Sequence, residues 1–281
     1  MKKNVFTIFC LCLYNNFYNQ FKKLKYIPVG LGNNFFNSKF LRDHTKENIS
    51  KKNKYYGEYT FHYWFWKNML NKMHNNQWIG FCAYRRFWSQ NNNLSSDYIS
   101  SRVNKYNFQN YALKTPNLKW NGYETILGEE IYINNKIKIS KIIKNDGIRS
   151  IIHNLKSFIL SESNLKFHFD VFHGTGKIEK AILLLDKKDQ YDFYDFLVKK
   201  RSFNRGNMFI CKSKKILEQY YKDIFEWLKK CENIFGFQEG TYGKTRIYAF
   251  LAERYMSYWF NKYSHCLTWP IFFFDTSKFN R

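Results

Sequence analysis

Two adjacent arginines close the run QWIGFCAYRRFW at residues 77–88. Trp78, Ile79, Phe81 and Ala83 read as a buried strand, since a mostly apolar run of this length bounded by polar residues is a core-strand signal. Arg85 and Arg86 then stand at or just past its carboxyl end, beside Tyr84. Ligands of open α/β sheets bind outside the carboxyl ends of strands. A planar guanidinium fork matches two oxygens at once, so a phosphate or diphosphate suits this place. The competing arrangement has one arginine solvated and the other salt-bridged, and the stretch alone weighs the two equally.

Other residues carry chemistry at suggestive spacings. His168, Asp170 and His173 in HFDVFH form a His-x-Asp-x-x-His pattern, and mixed imidazole and carboxylate ligation of a divalent metal is reasonable chemistry. Placed on an extended segment, His168 and Asp170 alternate, and pairing with surface lysines is the stronger alternative. Glu58, His62 and Trp66 fall at i, i+4 and i+8 of a helix whose face could line a sugar site, although such aromatic helices more commonly pack a core. Asn207 opens NMFIC after a glycine, and an amide there can both donate to and accept from hydroxyls. Glu253 and Arg254 are neighbours in a late helix, where an intrahelical ion pair is the plain alternative to any chemical role.

Elements must hold these residues. A strand is expected near 5–13, a turn at Gly30 and Gly32, a helix over 57–70 and the arginine-terminated strand over 77–84. Residues 89–118 read as irregular and polar, with SQNNNLSS the most loop-like piece. ETILGEEIYI at 124–133 gives one or two short strands turning at Gly128. Helices are expected over 146–160 and 175–200, separated by the segment 167–174. A strand over 206–211 leads into an amphipathic helix over 214–234, which Ser213 is placed to cap. A helix over 246–261 and a tail strand at 270–274 finish the chain. Alternating strands and helices imply an α/β fold with a largely parallel sheet covered on both faces.

Composition narrows the function classes. The chain has 281 residues, a formal charge of +24 and 21% aromatic residues, enough length for one domain with a full core. Such a charge attracts polyanions, but no helix-turn-helix, zinc-finger or RNP signature accompanies it, so a nucleic-acid role rests on charge alone. A carbohydrate-binding module without catalysis is the rival that the aromatic content favours. The Lys, Asn, Phe and Tyr bias also fits an AT-rich genome, which weakens both arguments. Six cysteines without a CxxC pair read as reduced core thiols, hence a cytosolic protein. MKKNVFTIFCLCLY superficially resembles a signal peptide, but its apolar run is short and no small-residue cleavage site follows, so a core strand is expected.

Several motifs occur in a fixed order: YIPVGLG at 26–32, D-x(4)-NIS and E-x-T-x-x-YW-x-WKN within 42–68, YRRF at 84–87, NMFI at 207–210 and a late ER at 253–254. The ordered set, from about Tyr26 to Tyr258, resembles a bacterial family of capsular and exopolysaccharide gene clusters. That family was long catalogued as a domain of unknown function (DUF4422-type) and is treated as glycosyltransferases. Ala83 departs from the pattern, standing where members often carry His.

The resemblance implies a GT-A-like, Rossmann-related glycosyltransferase domain over 1–281, its nucleotide-binding part roughly 1–135 and its helical, acceptor-facing part roughly 136–281. It implies a nucleotide-sugar donor, with a UDP-hexose such as UDP-galactofuranose suggested. The acceptor would be a saccharide or lipid-linked saccharide of a surface polysaccharide. The setting would be cytoplasmic, in peripheral contact with an anionic membrane, with no nucleic acid as partner. Glycosyl transfer needs a clamp for the diphosphate, a grip on the donor sugar and, where the anomeric centre inverts, a base. The sequence has no Asp-x-Asp, so Arg85 and Arg86 are expected to replace a metal with no cofactor required; the alternative is Mn²⁺ or Mg²⁺ on His168, Asp170 and His173. Tyr84, Asp43, Asn48 and Asn207 join the arginines on the donor side, with plain turn chemistry the alternative for Asp43 and Asn48. Glu58, His62, Trp66 and His173 are expected on the sugar or acceptor side. Glu253 is the first candidate base and Asp170 the second.

Overall fold

The structure is a computed structural model that describes residues 6–133, 152 and 164–279. Its axis is β1, Phe6–Cys12, whose sequence FTIFCLC is apolar on both faces, as a strand covered from both sides must be. Residues alternate across it. Phe9 and Leu11 enter one core with Tyr59, Phe61 and Phe65, whereas Ile8, Cys10 and Cys12 enter the other with Phe21, Leu24 and Tyr26.

On one side β1 pairs in parallel with β2, Ile27–Gly30, which in turn pairs with β3, Leu41–Arg42. On the other side it pairs in parallel with β4, Trp78–Ala83. The chain turns after β4 into β5, Arg86–Trp88, which runs back antiparallel and carries β11, Ile271–Phe273. The sheet continues through β9, Phe209–Cys211, antiparallel to both β4 and β6, Thr125–Gly128. It closes with β10, Cys266–Trp269, parallel to β6. A separate two-stranded ribbon joins β7, Glu130–Tyr132, to β8, Ser202–Asn204. The result is the expected GT-A-like arrangement, a mixed and mostly parallel sheet flanked by helices.

One face carries the helices Tyr59–Asn68, Lys214–Phe235 and Ile247–Tyr263, which bury Phe65, Tyr220, Leu228, Tyr255 and Trp259. Ser213 caps the second of these by accepting the Ile216 N–H at 3.2 Å, as its sequence position predicts. Helix Tyr18–Leu24 covers the other face. All six cysteines are free and all but Cys266 are buried. Among the described residues no helix is long and apolar enough to cross a membrane.

Three expectations are corrected. Residues 89–118 contain helices Ser96–Arg102 and Phe108–Tyr111, anchored by buried Ile99, Phe108 and Leu113 that the surrounding polar residues hid. The segment 167–174 is not extended: Leu165–His173 is a helix, N-capped by Asn164 through the Phe167 N–H at 2.8 Å. The strand expected from 206 starts at Phe209, because Gly206 and Asn207 take left-handed backbone angles, φ 84° and 51°. The helix expected over 146–160 lies outside the described residues, residue 152 excepted.

Candidate active site

β2 and β4 leave β1 on opposite sides, so the strand order reverses at β1 and opens a crevice at the carboxyl ends, the usual ligand position in such sheets. A cleft of about 240 Å³ lies there, floored by Leu11, Leu13, Leu31 and Ala83. At the end of β2 a Cβ on Gly30 would sit 2.4 Å from the buried Phe36 ring, so the loop after β2 folds back only over glycine.

The turn between β4 and β5 brings Tyr84, Arg85 and Arg86 to one wall. Its backbone is pinned from three sides. Leu11 O accepts the Tyr84 N–H at 3.0 Å, Tyr84 O accepts the Thr276 hydroxyl at 2.8 Å, and Arg85 O accepts the Phe274 N–H at 3.1 Å. The guanidinium of Arg85 lies over the Tyr84 ring and that of Arg86 over Phe273. Burial, followed by the charges of Arg205 and Arg85, pushes Arg86 down to about 10, with Glu253 acting in the opposite direction. Nearby Arg246 and Arg254 are paired, with Glu58 at 3.3 Å and Glu253 at 2.8 Å. Among the described residues no carboxylate forms an ion pair with Arg85, Arg86 or Arg205. Three neighbouring cations, none of them in an ion pair, repel one another, and an anion in the cleft would relieve that repulsion.

The facing wall is a hydrogen-bonded frame. Asn207 Nδ2 donates to Glu58 Oε1 at 2.8 Å and to Ala249 O at 3.3 Å. Its Oδ1 is buried with no protein partner, in a residue only 3% exposed that lines the cleft. Glu253 Oε1 accepts the Gly206 N–H at 2.5 Å and Oε2 accepts Arg254 Nη1 at 2.8 Å. Arg254 is 1% exposed, lies 3.6 Å over the Phe203 ring and donates to His168 Nδ1 at 3.2 Å. Glu253 also borders a second cavity of about 470 Å³, which shares Tyr242 and Phe250 with the first.

Six of the residues singled out in the sequence therefore meet at one cleft: Glu58, Tyr84, Arg85, Arg86, Asn207 and Glu253. Others lie elsewhere. Asp43 is buried and accepts the Thr60 hydroxyl at 2.6 Å; burial pushes its carboxyl up. Asn48 accepts the Ser50 N–H and hydroxyl, the turn chemistry weighed against a ligand role. His62 is fully buried with Nδ1 3.1 Å from the Tyr221 hydroxyl, and burial pushes its imidazole down to about 3. Trp66 stacks on Phe225 and donates to Glu218 at 2.9 Å.

The HFDVFH set does not fit a metal site. On a helix, positions 168 and 170 point about 200° apart. Asp170 faces Lys166 at 3.2 Å and the Gly176 N–H at 3.1 Å, while His168 meets Arg254 and His173 Nδ1 donates to Gly243 O at 3.1 Å. No cluster of three or more His, Cys, Asp or Glu suited to a metal occurs among the described residues. Sequence alone does not single out Arg205, two residues before the NMFI motif, or Arg246, seven residues before Glu253. It also missed Tyr242 and Phe250, for which no local signal exists.

The DUF4422 family, described as a domain of unknown function, matches residues 9–264. The chain belongs to this DUF4422 family. Among solved structures, the apo form of WbbM, a bifunctional glycosyltransferase, superposes with a TM-score of 0.67 at 19% sequence identity. The likeness covers 96% of this chain and 45% of WbbM, so this DUF4422 chain spans less than half of that protein. At this identity the likeness establishes a glycosyltransferase-like fold. No curated protein matches the sequence.

Proposed function

We propose that this DUF4422 protein is a glycosyltransferase whose cleft binds the diphosphate of a nucleotide sugar on Arg85 and Arg86. The observation that carries the reading is the set of three arginines without carboxylate partners at the switch point of the sheet. Bond breaking places negative charge on the departing nucleoside diphosphate, and fixed cations at that point stabilise the transition state more than the ground state. Arg205 adds to the same field. No metal ion is required on this reading.

Glu253 borders both cavities, which supports its carboxylate as the base for a hydroxyl arriving from the second one. The acceptor oxygen bonds to the anomeric carbon, its proton passes to Glu253, and the electron pair of the broken C–O bond leaves with the diphosphate. Asp170, buried and turned to Lys166, borders neither cavity and falls behind as a base. Asn207 and Glu58 hold hydroxyls of the donor. The proposed donor is a UDP-hexose, with UDP-galactofuranose suggested by the family. The proposed acceptor is a saccharide or lipid-linked saccharide of a surface polysaccharide. A charge of +24 supports contact with an anionic membrane face.

The test is a calorimetric titration with UDP, GDP, CDP and ADP, followed by a hydrolysis assay with UDP-hexoses. Preferential UDP binding with slow UDP release from one UDP-hexose is expected. Absence of nucleotide binding would reject the proposal.

A further inference from the structure

The second cavity adjoins the cleft and opens onto Glu253. Its walls include Phe172, Phe203, Tyr242 and Phe250, with His168 and His173 between them. The rings are locked against one another. His173 stacks on Phe250 with centroids 4.0 Å apart, Tyr242 meets Phe250 edge-on at 5.9 Å, and Arg254, also in the lining, lies 3.6 Å over the Phe203 ring. Gly243 lets the turn after Gly240 press against the end of helix Leu165–His173, since a Cβ there would lie 2.3 Å from Phe172 O. At about 470 Å³ the space is that of a small-ligand site with apolar walls and few polar groups.

We infer that this cavity is the acceptor subsite and that it takes the saccharide end of the acceptor, with a sugar ring laid on its aromatic walls. The inference rests on the glycosyl-transfer reading and adds to it the place of the second substrate and the residues that hold its sugar ring. Aromatic faces suit the C–H face of a sugar ring, while the hydroxyl edge needs polar partners. Arg205 and Glu253 supply them at the side facing the donor cleft. A hydrocarbon chain in the same space would desolvate the Arg205 guanidinium and offer it no hydrogen-bonding partner, which is costly. A ring held there presents a hydroxyl toward Glu253 and, across it, toward the sugar on the diphosphate.

Two variants test this. Phe172→Ala removes one wall, and Thr241→Trp fills the cavity from an exposed rim position whose side chain makes no cap hydrogen bond, so the fold is spared. A panel of p-nitrophenyl hexosides is titrated into the UDP-saturated protein, and UDP affinity is measured separately for each variant. The inference expects a hexoside to bind the wild type, with roughly ten-fold or greater weakening in both variants while UDP affinity holds. Hexoside binding unchanged in Thr241→Trp, or no hexoside binding by a wild type that binds UDP, overturns the inference and leaves the donor reading standing. Binding of a dodecyl chain in place of the sugar overturns it as well. A wild type that binds no UDP removes the donor reading and this inference together.

Discussion

Glu253→Gln separates chemistry from architecture in one variant. In the structure Glu253 is the carboxylate partner of Arg254 at 2.8 Å, and Arg254 is 1% exposed. Burial pushes the Arg254 guanidinium down and Glu253 holds it up. Removing one partner of a buried ion pair costs about 3–5 kcal/mol, because the other charge is left uncompensated. Glutamine keeps a carbonyl oxygen that can accept one of the two hydrogen bonds, so a loss of about 2–4 kcal/mol is expected. For a chain of this size that corresponds to a fall in Tm of about 3–7 °C. If Glu253 is also the base, kcat falls by roughly two to four orders of magnitude while UDP affinity stays put. Thermal unfolding and single-turnover transfer, assayed well below the variant's Tm, read the two effects separately. A destabilised variant with full activity confines Glu253 to its ion pair. A variant as stable and as active as the wild type refutes both roles.

Acid should destabilise the fold through His62, whose burial pushes it to about 3. Below the ordinary histidine pKa of about 6.5 the unfolded chain binds a proton that the folded one does not, so stability is full above that pH and is lost toward pH 3, at up to about 1.4 kcal/mol per pH unit. Urea unfolding between pH 7 and 4.5 should show a shallower slope in His62→Phe; an unchanged slope would contradict the assignment. Asn207→Gly preserves the left-handed backbone but removes the free Oδ1 and the Glu58 contact, so the donor KM should rise about ten-fold or more with little change in Tm. An unaltered donor KM would place Asn207 outside the binding set. Turnover should survive EDTA; loss restored by Mn²⁺ would show that the arginines do not act alone.

What could be read in the sequence was local. The strand Trp78–Ala83 and the helix capped by Ser213 declare themselves through apolar runs, helical spacing and a cap, signals that lie within a few residues of one another. Helix Leu165–His173 does not, because it is only nine residues long and its His168 and Asp170 alternate with phenylalanines like a strand. The same limit applies to the site. Glu58, Arg86, Asn207 and Glu253 are scattered over most of the chain, and the order of motifs, rather than any spacing, drew them together. Asp43 and His62 are polar residues of equally suggestive chemistry but face Thr60 and Tyr221 inside the protein. A buried polar side chain whose partner is distant in sequence looks like a ligand group until the partner is seen.

The central claim is that unpaired arginines at the carboxyl end of β4 bind a diphosphate. Its most direct measurement is UDP affinity by calorimetry for the wild type, Arg85→Ala, Arg86→Ala and Arg86→Lys across a range of salt. Each lost charge-assisted contact is worth about 1.5–3 kcal/mol, so each alanine variant should bind UDP roughly 10- to 100-fold more weakly, with a shallower salt dependence. Lysine should restore only part of this, since it lacks the planar fork. UDP affinity equal to wild type in both alanine variants, at unchanged Tm, would contradict the account.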